Sequence, residues 1–189
     1  IAIDSPAAAG AGTVAKKISS YFNLLYLDTG KIYRMLAFLK FRNKKNFKYS
    51  MIKKKMTRLK IIDLENKKLL SDKIGTIASE IAKDKKIRKL VHNFQIKCAY
   101  NFPKKYNGSC LDGRDITYKI VPDADFKFFI TASLKTRAKR RYQELKRLKN
   151  NITFKEVLKS MKLRDKNDYN RKISPLTSKY SMLINSENL

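Results

Sequence analysis

The stretch Ile1-Ala-Ile-Asp-Ser-Pro-Ala-Ala-Ala-Gly-Ala-Gly-Thr13 decides the fold. Residues Ile1-Ala-Ile-Asp4 predict a short strand, and the small residues 5–12 predict a turn. The helical spacing of apolar residues in 13–22 predicts that a helix follows. This order is typical of a phosphate-binding loop, because small residues let backbone N–H groups approach phosphate oxygens and the helix adds its N-terminal dipole. By itself, the segment also fits an ordinary small-residue turn between a strand and a helix.

Beyond this stretch, apolar strands alternate with amphipathic helices. Further strands are predicted at residues 24–27, 108–112, 126–130 and 181–184, and helices at residues 31–41, 77–99 (with an interruption near 83–85), 134–148 and 154–166. Such alternation predicts an α/β fold with a parallel sheet and right-handed crossovers. Ligands bind beyond the carboxyl ends of the strands in such sheets. Turns at residues 5–12, 28–30 and 112–115 fall at those ends and predict a site there.

Residues 44–76 differ from the rest of the chain. They are rich in lysine and poor in large apolar clusters. A helix is predicted near residues 51–59, followed by two short strands at 60–64 and 68–70 that are joined by a turn. This segment is interpreted as an insertion with a reduced sheet rather than as part of the core.

The charge of the chain is strongly positive. Its 189 residues include 44 Lys and Arg against 16 Asp and Glu, a formal net charge of +28. Three interpretations are open: nucleic-acid binding, a site for a phosphorylated small molecule, or a composition shifted genome-wide toward Lys, Asn and Ile. The lysines are spread over the whole chain, which favours the third interpretation for most of them.

Cysteine usage and hydropathy indicate that the protein works inside the cell. Cys98 and Cys110 have neither metal-ligand nor redox spacing, which predicts a reduced, intracellular protein. No apolar run approaches the ~20 residues of a membrane span, and no signal peptide is evident. Because the chain begins and ends on predicted strands, we expect it to be clipped at both termini.

Six short segments follow one another along the chain. They are the loop after Ile1-Ala-Ile-Asp4, Asp28-Thr-Gly-Lys-Ile-Tyr-Arg34, Asp112-Gly-Arg-Asp115, Val121-Pro-Asp-Ala-Asp125, Thr131-Ala-Ser133 with Arg137-Ala-Lys-Arg-Arg141, and Arg164-Asp-Lys-Asn-Asp-Tyr-Asn-Arg171. On a helix, residues 164, 168 and 171 share one face, so two arginines flank a carboxylate; a solvated salt-bridge ladder is the alternative. With these segments the chain resembles the bacterial cytidylate kinases, a family of nucleoside monophosphate kinases, over nearly its whole length.

The resemblance implies a P-loop NTPase-type parallel sheet flanked by helices, with a small nucleotide-binding insertion and a helical lid. The core would be residues 1–43 and 77–189, the lid would lie near 137–172, and the insertion, at 44–76, would be shortened. The implied reaction transfers the γ-phosphoryl group of ATP to CMP or dCMP. The implied partners are these nucleotides and Mg²⁺. From the composition of the chain we also expect a cytoplasmic monomer that binds no specific nucleic acid and no membrane.

The resemblance also implies roles for individual residues. For the monophosphate substrate, they are Arg34, Arg114 and Arg171 at the phosphate, Ser79, Arg88 and Asp115 at cytosine, Arg164 and Asp168 at the ribose, and Thr29 as a further hydrogen bond or, alternatively, a helix N-cap. For ATP, they are Ser5, Pro6, Ala7, Ala8, Ala9, Gly10, Ala11, Gly12 and Thr13, with Arg137, Arg140 and Arg141 from the lid. Arg114, Arg140 and Arg171 would be catalytic, and Thr13 is the nearest candidate ligand of Mg²⁺.

The largest departure from the family is Ala11, where the family carries the lysine of the P-loop; Ser5 also replaces a glycine. Three interpretations follow: an active enzyme in which another cation compensates, a catalytically weak nucleotide-binding relative, or an engineered knockout. A basic nucleic-acid-binding protein is a further alternative. The intact substrate residues favour the compensated enzyme, with Lys16, Lys17 or the lid arginines as the replacing cation.

Overall fold

The computed structural model describes residues 1–43, 46–147 and 151–188. Its five strands form one parallel sheet in the order β2-β3-β1-β4-β5. They are β1 (Ala2–Asp4), β2 (Leu24–Asp28), β3 (Gly108–Gly113), β4 (Lys127–Thr131) and β5 (Met182–Asn185). The predicted α/β fold with a parallel sheet is confirmed, and each strand lies within one residue or so of its predicted bounds.

Strand β1 occupies the centre of the sheet. Ile3 pairs with Asp112 of β3 on one side and with Phe128 of β4 on the other. The strand order reverses at β1, and such a switch point leaves a crevice at the carboxyl ends of the strands. The loop that leaves β1 therefore starts at the edge where ligands bind in this class of sheet.

Seven α-helices connect and cover the strands within the described ranges. They are α1 (Ala11–Tyr21), α2 (Thr29–Arg42), α3 (Tyr49–Thr57), α4 (Asp72–Ile81), α5 (Lys85–Tyr100), α6 (Leu134–Arg147) and α7 (Phe154–Asn170). The predicted interruption near residues 83–85 is confirmed, because the Asp84 carboxylate caps α5 by accepting from the N–H of Lys86 at 2.7 Å. Residue 148 of the predicted helix 134–148 lies outside the described residues. None of the described helices is long and apolar enough to cross a membrane.

The prediction of two short strands in the lysine-rich segment, at residues 60–64 and 68–70, is wrong. Residues Ile61–Glu65 and Lys67–Leu70 form two short 3₁₀ helices instead, and residues 46–76 contain no strand. Leu64 and Leu69 are buried in the same hydrophobic cluster as Leu36 of α2. A short strand needs a partner strand for stability, but these residues pack against the surface of α2 instead. Compact helical turns bury their leucines against that surface better than an unpaired strand would.

Candidate active site

A cleft of about 450 Å³ opens at the carboxyl ends of the central strands. The loop after β1 and the start of α1, residues 5–13, form one wall. Parts of α2, α4 and α7 form the others. The predicted site residues in its lining, besides residues 5–13, are Arg34, Ser79, Arg114, Arg141 and Arg164. Segments far apart in the sequence thus meet in one cleft, at the place that the strand order indicates.

The loop after β1 leaves its N–H groups available. Arg137 donates to the carbonyl of Ala7 at 3.1 Å, and the Ser186 hydroxyl donates to the carbonyl of Ala9 at 2.6 Å. Gly10, at φ = 91°, turns the chain into α1, and no side chain of a described residue caps the start of this helix. Within the described part of the chain, the N–H groups of residues 7–10 have no acceptor. The loop carbonyls are thus held by hydrogen bonds, while the N–H groups of the loop and of the start of α1 remain available. Such an arrangement binds an anion.

Four arginines, Arg34, Arg114, Arg141 and Arg164, gather in the same cleft. Burial and then the charges of Arg114 and Arg34 lower the pKa of Arg164 to about 9, and its Nε is buried with no hydrogen-bond partner among the described residues. Asp168 balances only part of this charge, since its carboxylate accepts from Arg114 Nε at 2.9 Å. The cleft therefore carries a positive potential that an anionic ligand would offset.

A second group of charges lies beside the cleft. Arg88 forms an ion pair with the buried carboxylate of Asp115. Arg171 lies 4.0 Å from a carboxylate oxygen of Asp115 and 4.0 Å from one of Asp168. Its Nη2 is buried with no hydrogen-bond partner among the described residues. The structure thus brings Arg88, Asp115, Asp168 and Arg171 together, outside the lining of the cleft but joined to it through Arg114.

Two of the three arginines expected in the lid hold elements together and do not line the cleft. Arg137 is buried and forms a bidentate pair with Asp165, at 3.1 and 2.6 Å. Arg140 donates to the hydroxyl of Ser186 at 3.2 Å and lies against the loop at Gly10. Arg141 does line the cleft. Only Arg141 of the three therefore borders the cleft directly in this structure.

Thr29 is buried at the start of α2. Its hydroxyl donates to the carbonyl of Asp112 at 2.7 Å and so ties α2 to β3. The alternative interpretation of Thr29 as the N-cap is wrong: Asp28 is the N-cap, and its carboxylate accepts from the N–H of Lys31 at 3.2 Å.

Sequence reasoning missed the pair formed by Tyr26 and Asp112. Both line the cleft, and the Tyr26 hydroxyl donates to Asp112 at 2.9 Å. A Cβ added to Gly12 would lie 3.4 Å from the same carboxylate oxygen, which places Asp112 against the first turn of α1. The signal in the sequence was a tyrosine within the apolar run 24–27 and an acidic residue at the end of β3.

The stability of the protein should depend on pH through Asp112. Burial and the nearby charge of Asp28 raise the pKa of the Asp112 carboxyl from 3.8 to about 8. The raised pKa contributes stability that is complete below the unfolded pKa and is lost as the pH rises through about 8. Between about pH 6 and pH 9, we expect the parent to lose on the order of 2–3 kcal/mol more stability than Asp112→Asn, which stays neutral. Urea unfolding of both proteins at the two pH values measures this, and equal losses would contradict it.

The central strand of the parallel sheet leads through an N–H-rich loop into a helix, and this loop shares one cleft with four arginines. These features define a nucleotide-binding protein of the P-loop class. The family model described as "Cytidylate kinase" matches residues 1–189. The chain belongs to the cytidylate kinase family, as the six sequence segments predicted.

Curated relatives agree with the family match. A cytidylate kinase of Bartonella tribocorum is 41% identical over 179 residues, which cover 93% of this chain and 80% of that protein. A cytidylate kinase of Clostridium botulinum is 39% identical over 202 residues, with 100% of this chain and 90% of that protein covered. A crystal structure of an uncharacterized protein from Eubacterium ventriosum superposes with a TM-score of 0.52 at 19% identity, covering 100% of this chain and 88% of that chain. This last similarity concerns the fold alone.

Proposed function

We propose that this chain is a nucleoside monophosphate kinase of pyrimidine metabolism, which transfers the γ-phosphoryl group of ATP to CMP or dCMP and yields CDP or dCDP and ADP. The observation that carries the proposal is the pairing of two anion sites in one cleft. The loop of residues 5–13 offers N–H groups on one wall, and the arginines around Arg164 bring positive charge to the other walls of the same cleft. Two phosphorylated substrates require two such sites, and the relatives named cytidylate kinase support this assignment.

On the acceptor side, Arg34, Arg114 and Arg171 would grip the phosphate, because guanidinium forks suit phosphate oxygens. Arg164 and Asp168 would hold the ribose. Arg88, Asp115 and Ser79 would recognise cytosine, since a carboxylate accepts from the exocyclic amino group, whereas uracil presents a carbonyl there. The Arg88–Asp115 pair supports this role because it already orients the carboxylate. Thr29 would act through its bond to the Asp112 carbonyl.

On the donor side, the loop would cradle the ATP phosphates and Arg141 would approach them from α6. Arg137 and Arg140 would join through a movement of the lid at residues 137–172. The oxygen donors present in the cleft, among them the Thr13 hydroxyl and the Asp28 carboxylate, suit Mg²⁺, which takes few protein ligands and is otherwise held by phosphates. Thr13 is the proposed ligand, and the ion would neutralise phosphate charge. No general base is required, because charge stabilisation dominates this chemistry.

We further propose a monomer that works in the cytoplasm without a specific nucleic-acid or membrane partner. The spread of lysines over the whole chain supports this, because no single stretch collects them. Four arginines, Arg34, Arg114, Arg141 and Arg164, converge inside the cleft, where a nucleotide would meet them.

The proposal is tested by a coupled ADP-release assay with ATP, Mg²⁺ and each of CMP, dCMP and UMP. We expect the parent to turn over CMP or dCMP at a rate of about 1–100 s⁻¹ and UMP more slowly, and we expect Ala11→Lys to gain little. If the parent released no ADP and Ala11→Lys did, the chain would be a disabled kinase that only binds nucleotide. A parent that turns over none of the three, with or without the substitution, would refute the proposed function.

A further inference from the structure

The charge of the family's P-loop lysine is absent at position 11. Ala11 is the first residue of α1 and is 5% exposed, packed in the cluster that contains Ile3. Its methyl group offers no charge to a bound triphosphate. Phosphoryl transfer depends on preorganised positive charge at the phosphates, so an active enzyme needs a cation from elsewhere in the cleft.

Among the residues that the structure describes, six side-chain cations line the cleft, and four of them are arginines. Arg34 donates to the carbonyl of Leu69 and Arg114 donates to Asp168, and both belong to the acceptor side. Arg141 is on the donor side, but its guanidinium already donates to the carboxylate of Glu144. Arg164 lies among these three arginines, where its charge serves the acceptor side. The remaining two cations are Lys16 and Lys31. Lys17, a candidate from its sequence position, is not part of the lining.

Lys31 lies in the first turn of α2, three residues after the N-cap Asp28. Its side chain lines the cleft, and its ammonium forms no hydrogen bond or ion pair with any described residue. Its charge acts on Asp112, where it opposes the rise in the pKa of that carboxyl. Asp112 in turn lies against Gly12 in the first turn of α1. Lys31, Asp112 and the start of α1 are therefore neighbours, and the ammonium is uncommitted.

Lys16 is less suited to this task. It lies in the second turn of α1, beyond the N-terminal N–H groups that would hold phosphate oxygens. Its Nζ is 6.0 Å from the centroid of the Tyr26 ring, within reach of a cation–π interaction. The side chain is exposed to solvent, where a charge is screened more strongly.

We propose that Lys31 supplies the phosphate-binding cation that Ala11 cannot, so that the charge has moved from α1 to the first turns of α2. This inference rests on the proposed function. In the transfer, an oxygen of the CMP phosphate forms a bond to the γ-phosphorus of ATP, the bond from that phosphorus to the β-bridging oxygen breaks, and ADP leaves with the electron pair. The Lys31 ammonium, on a flexible stem, contacts the β- and γ-phosphate oxygens and offsets the charge that develops on them.

The test compares Lys31→Met with Lys16→Met, and Lys17→Met is the control outside the cleft. Each substitution is made both in the parent and in the Ala11→Lys background. We expect Lys31→Met to lower kcat with CMP by about 10²–10³ and to weaken the binding of ATP, measured by calorimetry without CMP, by about tenfold or more. Lys16→Met should have the smaller effect and Lys17→Met none. Adding Ala11→Lys should restore most of both losses, because the charge returns to α1, whereas a purely structural role of Lys31 would not be rescued.

Several outcomes would overturn the assignment: turnover and ATP binding of Lys31→Met both within about threefold of the parent, a larger loss in Lys16→Met, or no rescue by Ala11→Lys. The calorimetry separates this inference from the proposed function. If the parent does not phosphorylate CMP but ATP binding still depends on Lys31 and is rescued by Ala11→Lys, the proposed function fails and the phosphate-binding role of Lys31 stands.

Discussion

Replacing Arg164 with Met should lower kcat/KM for CMP by about 10²–10³ while leaving the empty protein at least as stable as the parent. Arg164 lines the cleft, and neighbouring arginines together with burial disfavour its charge in the absence of a ligand. Its buried Nε makes no hydrogen bond with the described residues. Removing the side chain therefore relieves repulsion in the free protein and removes attraction for the nucleotide. This combination is expected at a binding site that trades stability for function.

The coupled assay with CMP measures the loss of activity, and urea unfolding without nucleotide measures stability. Arg137→Met is the matched control, because Arg137 is also a buried arginine but already has a carboxylate partner. Its loss leaves Asp165 without its bidentate partner and should cost about 3–5 kcal/mol of stability. If Arg164→Met lost stability as Arg137→Met does, or kept its activity toward CMP, the assignment of Arg164 to the substrate would be wrong.

Gly113→Ala should destabilise the protein by about 3 kcal/mol. Gly113 ends β3, and a Cβ there would lie 2.4 Å from Oγ1 of Thr29 and 2.8 Å from Cδ1 of Ile116. Both neighbours are buried, and Thr29 is held by its hydrogen bond to the Asp112 carbonyl, so neither can move aside cheaply. Relief of the clash would separate α2 from β3, and activity should fall together with stability.

Gly108→Ala is the control, because Gly108 begins the same strand. Among the described residues, a Cβ there would meet only Cδ2 of Leu24, at 3.2 Å, which is the end of a flexible and partly buried side chain. We expect a change below about 1 kcal/mol in the free energy of unfolding. Thermal or urea unfolding of the two variants measures both effects. Equal stability of Gly113→Ala and the parent would show that Thr29 is not the tie between α2 and β3.

The order of strands and helices follows from the sequence, because the periodicity of apolar residues is a local property. The strand at residues 1–4, the loop of small residues after it and the break near residues 83–85 were all predicted in place. The strand prediction at residues 60–70 was wrong, because the spacing of Ile61, Leu64 and Leu69 is compatible with either a short strand or a compact turn. The buried surface of α2 favours the turns.

The sequence by itself determined the family, the small-residue loop and the loss of charge at position 11, because each is written in consecutive residues. Only the tertiary structure decided which charges meet. It pairs Arg88 with Asp115, commits Arg137 to Asp165 rather than to the cleft, and brings Lys31 to the wall that holds Asp112. The physical reason is that an ionic contact depends on the distance and burial of two side chains, and both are fixed by how the helices pack around the sheet.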